Sequence, residues 1–168
     1  MLGDAGMLIA EFNLSTPVLR DALAAAPEVT ADLERTVEGE TTRIEFFARG
    51  DDLTRFEDAL GNDPSVEDIR ILGEGPDFRF YRATLAREAT RRTTYHAFAE
   101  TGAHPVSARG DHTGWNFRVQ FPDRAALARY RDSCRERDVS FTLHALYERA
   151  DPRSEADEYG LAGDQGTV

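Results

Sequence analysis

Hydrophobic and polar residues follow two periods along the chain: alternation, which is typical of strands, and stripes at helical spacing. Both patterns are clearest in residues 114–147. There a strand begins at Trp115, a helix begins at Asp123, and a second strand begins at Val139. A weaker copy of this strand–helix–strand unit covers residues 43–72. The pattern therefore predicts a structural unit that occurs twice.

The same reading of the whole chain predicts eight strands and four helices. The strands cover residues 8–14, 29–37, 44–48, 66–72, 78–85, 104–108, 115–121 and 139–147, and the helices cover residues 17–26, 53–60, 88–99 and 123–134. Ser15 and Thr16 before Pro17 predict the start of the first helix, because hydroxyl side chains favour the N-cap and proline favours the first turn.

The predicted elements have the order β-α-β-β-α-β in each half of the chain, which is the ferredoxin-like order. This order predicts an α+β fold of tandem ferredoxin-like repeats, with antiparallel sheet covered by helices on one face. Residues 73–76 interrupt the pattern and predict a boundary between a first half at 7–74 and a second half at 77–149. The halves either share one sheet or pack two sheets face to face. Residues 150–168 are polar and acidic, and we expect a tail there.

The charge of the chain indicates the environment in which it works and the class of partner that it can bind. There are 20 basic and 31 acidic residues, the formal net charge is −11, and every basic residue is arginine. An acidic surface without lysine suits a cytoplasm rich in salt, where screening weakens self-repulsion, so we predict a halophilic protein. The same charge argues against direct binding of nucleic acid, because contacts to phosphate dominate such affinity.

The N-terminus and the cysteine content predict the compartment. The single cysteine excludes an internal disulfide and favours a reducing interior. The first residues lack the basic segment of a signal peptide, and no apolar run reaches the length of a membrane span. We therefore expect a cytoplasmic protein that does not associate with membranes.

No group of residues predicts an active site. The four histidines lack the spacing of a metal site, and they are His96, His104, His112 and His144. Cys134 continues the hydrophobic stripe of the last helix, which predicts a buried thiol. Nucleophile motifs and glycine-rich phosphate loops are absent from the sequence. We expect no catalytic residue, cofactor or metal ion.

Trp115 and one arginine cluster also have predicted roles. Trp115 lies at the start of an alternating strand, which predicts an anchor of the core. Between residues 78 and 98, five arginines accompany a single acidic residue, Glu88, and they are Arg79, Arg82, Arg87, Arg91 and Arg92. They form either a solvated surface with ion pairs, as charge runs usually do, or a patch that binds an anion or a partner.

Residues 7–149 resemble a domain of the haloarchaeal bacterio-opsin activator family of transcription regulators, which lies between GAF or PAS modules and a C-terminal helix-turn-helix. The residues that carry the resemblance are the strand at 114–121 with Pro122 and Asp123 after it, Cys134, Leu146 with Tyr147, and the segment 46–60. Tyr159, Gly160, Leu161 and Gln165 resemble the start of the helix-turn-helix, and we expect the DNA-reading helices to be lacking because the sequence ends at Val168.

The resemblance implies a non-enzymatic, regulator-associated domain of an archaeal protein. Such a domain would act through protein or sensory contacts, either as a homo-oligomer or with full-length relatives. Direct DNA binding is not expected without the helix-turn-helix. The alternative is a regulatory domain that binds a small molecule at the seam between the two halves, near residues 73–77 or 110–114.

Overall fold

The computed structural model describes residues 7–149 of the chain. Within this range the chain forms eight strands, β1 Met7–Ser15, β2 Thr30–Val37, β3 Arg43–Arg49, β4 Val66–Gly75, β5 Phe78–Leu85, β6 His104–Asp111, β7 Gly114–Phe121 and β8 Ser140–Arg149. It also forms five helices, α1 Arg20–Ala25, α2 Leu53–Leu60, α3 Arg87–Arg91, α4 Tyr95–Thr101 and α5 Arg124–Glu136. The tail predicted at 150–168 lies outside the described residues.

All eight strands belong to one sheet, in the order β4-β5-β3-β2-β6-β7-β1-β8. Every neighbouring pair is antiparallel. The alternation that predicts β1 corresponds to burial, since Leu8, Ala10, Phe12 and Leu14 are all buried. The predicted α+β class with an antiparallel sheet is therefore confirmed, and both halves of the chain share that sheet.

The sheet consists of two four-stranded blocks, and each block contains one strand from the other half of the chain. The first block is β4-β5-β3-β2, and the second block is β6-β7-β1-β8. Strand β1 lies in the middle of the second block, whereas β5 lies in the middle of the first. Two separate tandem repeats are thus not confirmed. The division into 7–74 and 77–149 stays a prediction about the sequence, and residues 73–76 lie in β4 and the turn that follows it.

The helices pack against one face of the sheet and cover two hydrophobic clusters. Phe56 of α2 belongs to the cluster over the first block, and Tyr130 of α5 belongs to the cluster over the second. The registers place both clusters on the same face, because Ala31 of β2 pairs with Gly110 of β6, which pairs with Trp115 of β7. The opposite face of the sheet bears no helix within residues 7–149.

Helix α1 begins later than the sequence predicts, and distant residues cap it. Its N-cap residue, Leu19, has a φ of 57° and makes no side-chain cap of its own. Instead, Asp63 Oδ2 accepts a hydrogen bond from the Ala22 amide at 2.9 Å, and Ser65 Oγ accepts one from the Leu19 amide at 2.8 Å. The predicted start at residues 15–17 is wrong, because the acceptors come from the segment before β4.

The helix predicted at residues 88–99 is two helices, α3 and α4, so that prediction is also wrong. Thr93 Oγ1 donates to the carbonyl of Thr90 at 3.0 Å, and the hydroxyl of Thr94 lies 2.8 Å from that of Tyr130. Threonine has a low helix propensity and its hydroxyl competes for backbone groups, which explains a break at these positions. The break places residues 92–95 above the junction of the two blocks.

Candidate functional site

The junction between the two blocks is the narrowest part of the sheet. Strands β2 and β6 share two register pairs, Ala31 with Gly110 and Asp32 with Arg109, whereas β1 and β7 share seven. Beyond these pairs β2 has a bulge after Leu33, and bulges bend a strand. On the face that bears the helices, a cleft lies over this junction.

Trp115 fills one side of the junction. Its indole lies over Gly110, where an added Cβ would be 2.7 Å from the ring. The indole Nε1 donates a hydrogen bond to the carbonyl of Val18 at 2.9 Å, and the residue is 3% exposed. The prediction that Trp115 anchors the core is confirmed, and its contacts place it in the cluster over the first block although β7 belongs to the second.

The cleft is lined by residues from both blocks. Leu33 of β2 and Trp115 and Phe117 of β7 lie among its apolar residues, and Val18 and Tyr95 come from the segments at α1 and α4. It holds about 550 Å³ of space between atoms, its open mouth included, of which about 60 Å³ admits the centre of a water molecule. The space inside the cleft is therefore small.

The polar residues of the cleft are one arginine and four threonines. Arg92 Nε donates to the carbonyl of Arg137 at 3.3 Å, and Arg92 Nη2 donates to the carbonyl of Asp138. The threonines are Thr16, Thr36, Thr93 and Thr94. No aspartate or glutamate is among the described residues that line the cleft, although the chain has 31 acidic residues.

The sheet face without helices carries an aromatic platform. The rings of Phe47 and Phe80 stack with centroids 4.4 Å apart, and Phe78 lies 5.7 Å from Phe47. The guanidinium of Arg49 lies 4.9 Å from the centroid of Phe47, within cation–π distance. Phe78 covers Gly75 so closely that an added Cβ would be 2.2 Å from the ring, so the backbone of β4 is shaped to receive it.

Next to the platform, five arginines share three carboxylates, and we name this group the arginine face. The ion pairs are Arg49 and Arg109 with Asp32, Arg35 and Arg82 with Glu45, and Arg118 with Glu11. The arginine side chains are 41–63% exposed, whereas the carboxylates are 14–35% exposed. The surface of this group therefore presents mainly guanidinium groups.

The five arginines predicted as an anion or partner patch do not lie on one surface. Arg79 and Arg82 lie on opposite faces of β5, since residues alternate along a strand. Arg79, Arg82 and Arg91 each form an ion pair with a carboxylate. Arg87 is exposed at the start of α3, and Arg92 lines the cleft. A role for these residues in binding an anion stays a prediction.

The titratable groups of the cores favour their neutral forms. Burial raises the pKa of the Tyr81 phenol well above its usual range, and its hydroxyl donates to Glu57 Oε1 at 2.6 Å. Burial also raises the pKa of the Cys134 thiol to about 11. The prediction that Cys134 is a buried apolar residue is confirmed. Residues 7–149 contain no group of three or more histidine, cysteine or acidic residues placed to hold a metal ion.

The sequence pattern does not predict the aromatic platform or most of the arginine face. Strand β5 reads Phe78, Arg79, Phe80, Tyr81, so both of its faces carry aromatic residues. A strand with one solvated face usually alternates apolar with polar residues, and this departure was the available signal. A small-molecule site near residues 73–77 or 110–114 stays a prediction, and neither segment lines the cleft, although 110–114 adjoin Trp115.

A comparison with protein families identifies one match. The model described as BAT, "GAF and HTH_10 associated domain", matches residues 11–160. This match confirms the family resemblance inferred from the sequence. No curated protein matches the chain. Among the described residues, no helix has the length and apolar character that crossing a membrane requires.

Proposed function

Because the chain belongs to the BAT family of GAF and HTH_10 associated domains, we propose that it is a non-catalytic module of transcription regulation that acts by binding an acidic partner protein. The proposed partner is a full-length relative of the same family. The association replaces direct contact with DNA, for which a chain of net charge −11 is poorly suited.

The observation that carries this proposal is the sheet face without helices. Phe47, Phe78 and Phe80 supply apolar contact area, and the arginine face surrounds it with exposed guanidinium groups. Aromatic residues and arginine are the residues enriched at protein interfaces. Five arginines against three carboxylates give this face a local excess of positive charge, which complements the acidic surface of a relative with similar composition.

Charge reversal on this face tests the proposal. The double variant Arg49→Glu/Arg109→Glu is expected to lose affinity for a full-length relative at least tenfold, measured by isothermal titration calorimetry. Both residues pair with Asp32 on an exposed surface, so the fold should persist. The matched control is Arg20→Glu/Arg129→Glu, which changes the net charge equally at exposed positions on helices. Equal loss in both variants, or no association of the unmodified protein, contradicts the proposal.

A second candidate function is the sensing of a small molecule in the cleft. The observation that favours it is that apolar residues from both blocks line one cleft together with a few polar groups, as in ligand sites. A ligand that binds the folded state raises the apparent stability by mass action, so thermal unfolding against metabolites tests this function. A flat response across the metabolites would count against it.

The environment and the architecture are also proposals. The absence of lysine and the net charge of −11 support a halophilic, archaeal protein of the cytoplasm. Within each block the strand order supports a ferredoxin-like arrangement, provided that β1 and β5 have exchanged places between two repeats.

A further inference from the structure

We propose that the cleft binds a small monocarboxylic acid with a flat apolar body. This inference rests on the second candidate function and specifies the chemistry of its ligand. The apolar body lies against the residues at the junction of the two blocks, and the carboxylate pairs with Arg92.

The apolar part of the ligand is inferred from the lining of the cleft. Trp115 is held by its hydrogen bond to Val18, and Phe117 packs against both hydrophobic clusters, so these surfaces are fixed before a ligand arrives. Small residues of β6 leave room for these two rings, since Ala108 and Gly110 pair with Phe117 and Trp115 on this face. A narrow cleft between fixed side chains selects a flat molecule over a bulky one.

The anionic group is inferred from the charges. Among the described residues, Arg92 has no carboxylate within ion-pair distance, in contrast to Arg79, Arg82 and Arg91. Two backbone carbonyls after α5 hold its guanidinium in place, and Arg92 Nη1 makes no hydrogen bond within residues 7–149. A fixed guanidinium with an available donor suits a carboxylate. The lack of acidic lining residues removes the repulsion that an anion would meet elsewhere on this chain.

The position of the cleft gives the ligand a structural role. Leu33 of the first block and Phe117 of the second both line the cleft. The cleft lies beside the place where β2 and β6 share two register pairs. A bound ligand would therefore connect the two blocks beside their narrowest junction.

Phenylacetate, indole-3-acetate and 3-methylbutanoate, each beside its neutral amide, are the probes for this proposal. Binding is measured by the rise in unfolding temperature. For ligands whose ultraviolet absorption does not overlap that of tryptophan, it is also measured by the fluorescence of Trp115, the single tryptophan of the chain. We expect at least one carboxylate to bind ten times more tightly than its amide. Arg92→Gln should remove this preference and Arg92→Lys should partly restore it, whereas the control Arg91→Gln should leave binding unchanged.

The variant Thr36→Phe distinguishes two outcomes: that the cleft binds a ligand of another class, and that the cleft binds no ligand. This substitution fills the cleft without changing its charge, so it should abolish binding of every probe. If acids and amides bind equally well and Thr36→Phe abolishes the binding of both, the preference for a carboxylate is overturned, whereas the sensor function is retained. Binding that persists in Thr36→Phe, or no binding of any probe or metabolite, would overturn both.

Discussion

At the scale of single residues, the contact between Trp115 of β7 and Gly110 of β6 lies within the second block, beside the junction of the two blocks. The indole lies flat on the backbone of β6, and any side chain at position 110 would occupy its space. Glycine is needed here for close approach, since Gly110 is not among the described residues with a positive φ.

We predict that Gly110→Ala lowers the free energy of unfolding by about 1–3 kcal/mol, because the added methyl group overpacks the junction. Denaturant unfolding measures this change. Gly39→Ala is the control, since its added Cβ would be 3.6 Å from the nearest atom, at ordinary contact distance. Equal stability of the two variants would show that the indole moves aside without cost.

The thiol of Cys134 makes stability depend on alkaline pH. Its pKa rises from an ordinary value of 9.0 to about 11, mainly because of burial. The unfolded chain loses this proton first as the pH rises, so the stabilisation is complete below pH 9 and is lost through about pH 11.

We predict that the free energy of unfolding falls between these pH values and falls less steeply in Cys134→Ala. Tyr81 and Tyr130, whose pKa values are also raised mainly by burial, add to the decline in both proteins. Cys134 contributes to the raised pKa of Tyr130, so the difference between the two proteins reports the thiol together with its effect on that tyrosine. Chemical denaturation at a series of pH values measures it. In parallel, iodoacetamide should modify Cys134 slowly in the folded protein and rapidly in denaturant, and fast modification of the folded protein would contradict its burial.

At the scale of elements, α1 depends on the turn that precedes β4. Asp63 accepts hydrogen bonds from the amides of Ala22 and Ser65, and both acceptor residues of the cap are buried. These bonds join α1 to the segment after α2, so the cap also fixes how the two helices of the first block pack.

We predict that Asp63→Ala lowers the free energy of unfolding by about 1–3 kcal/mol, because it leaves a buried amide without an acceptor. Asp58→Ala, an exposed change on α2, should have little effect. Hydrogen exchange should show faster exchange of the amides of α1 in Asp63→Ala. Unchanged exchange there would mean that another acceptor caps the helix.

Local patterns predict the elements of this fold better than they predict its connections. The sequence pattern locates all eight strands, and the helices predicted at 53–60 and 123–134 correspond to α2 and α5, which Asp52 and Asp123 cap. The cap of α1 was missed because its acceptors are 41 and 46 positions away. The cleft was missed in detail because it depends on which strands meet, and periodicity carries no information about strand order.

At the scale of the whole molecule, the charge predicts a dependence on salt. The net charge of −11 opposes the compact state through self-repulsion, and salt screens this repulsion. We predict that the unfolding temperature rises steeply between dilute buffer and molar potassium chloride. Equal stability in dilute buffer, or equal effects of salt and an uncharged osmolyte, would contradict the screening argument.

The placement of β1 and β5 has a consequence for a chain cut in two. A cut at residues 75–77 gives one fragment without β5 and another without β1, so each lacks the middle strand of its block. Neither fragment should fold alone, because the missing strand leaves its two neighbours without backbone partners and removes that strand's residues from the core.

We predict that co-expressed fragments 1–75 and 77–168 recover the fold by complementation, each supplying the strand that the other needs. Circular dichroism and co-purification of the two fragments measure it. A fragment that folds cooperatively by itself would show that its block does not need the strand from the other half of the chain. If complementation holds, the two halves of this sequence behave like two subunits of an obligate dimer that are joined in one chain.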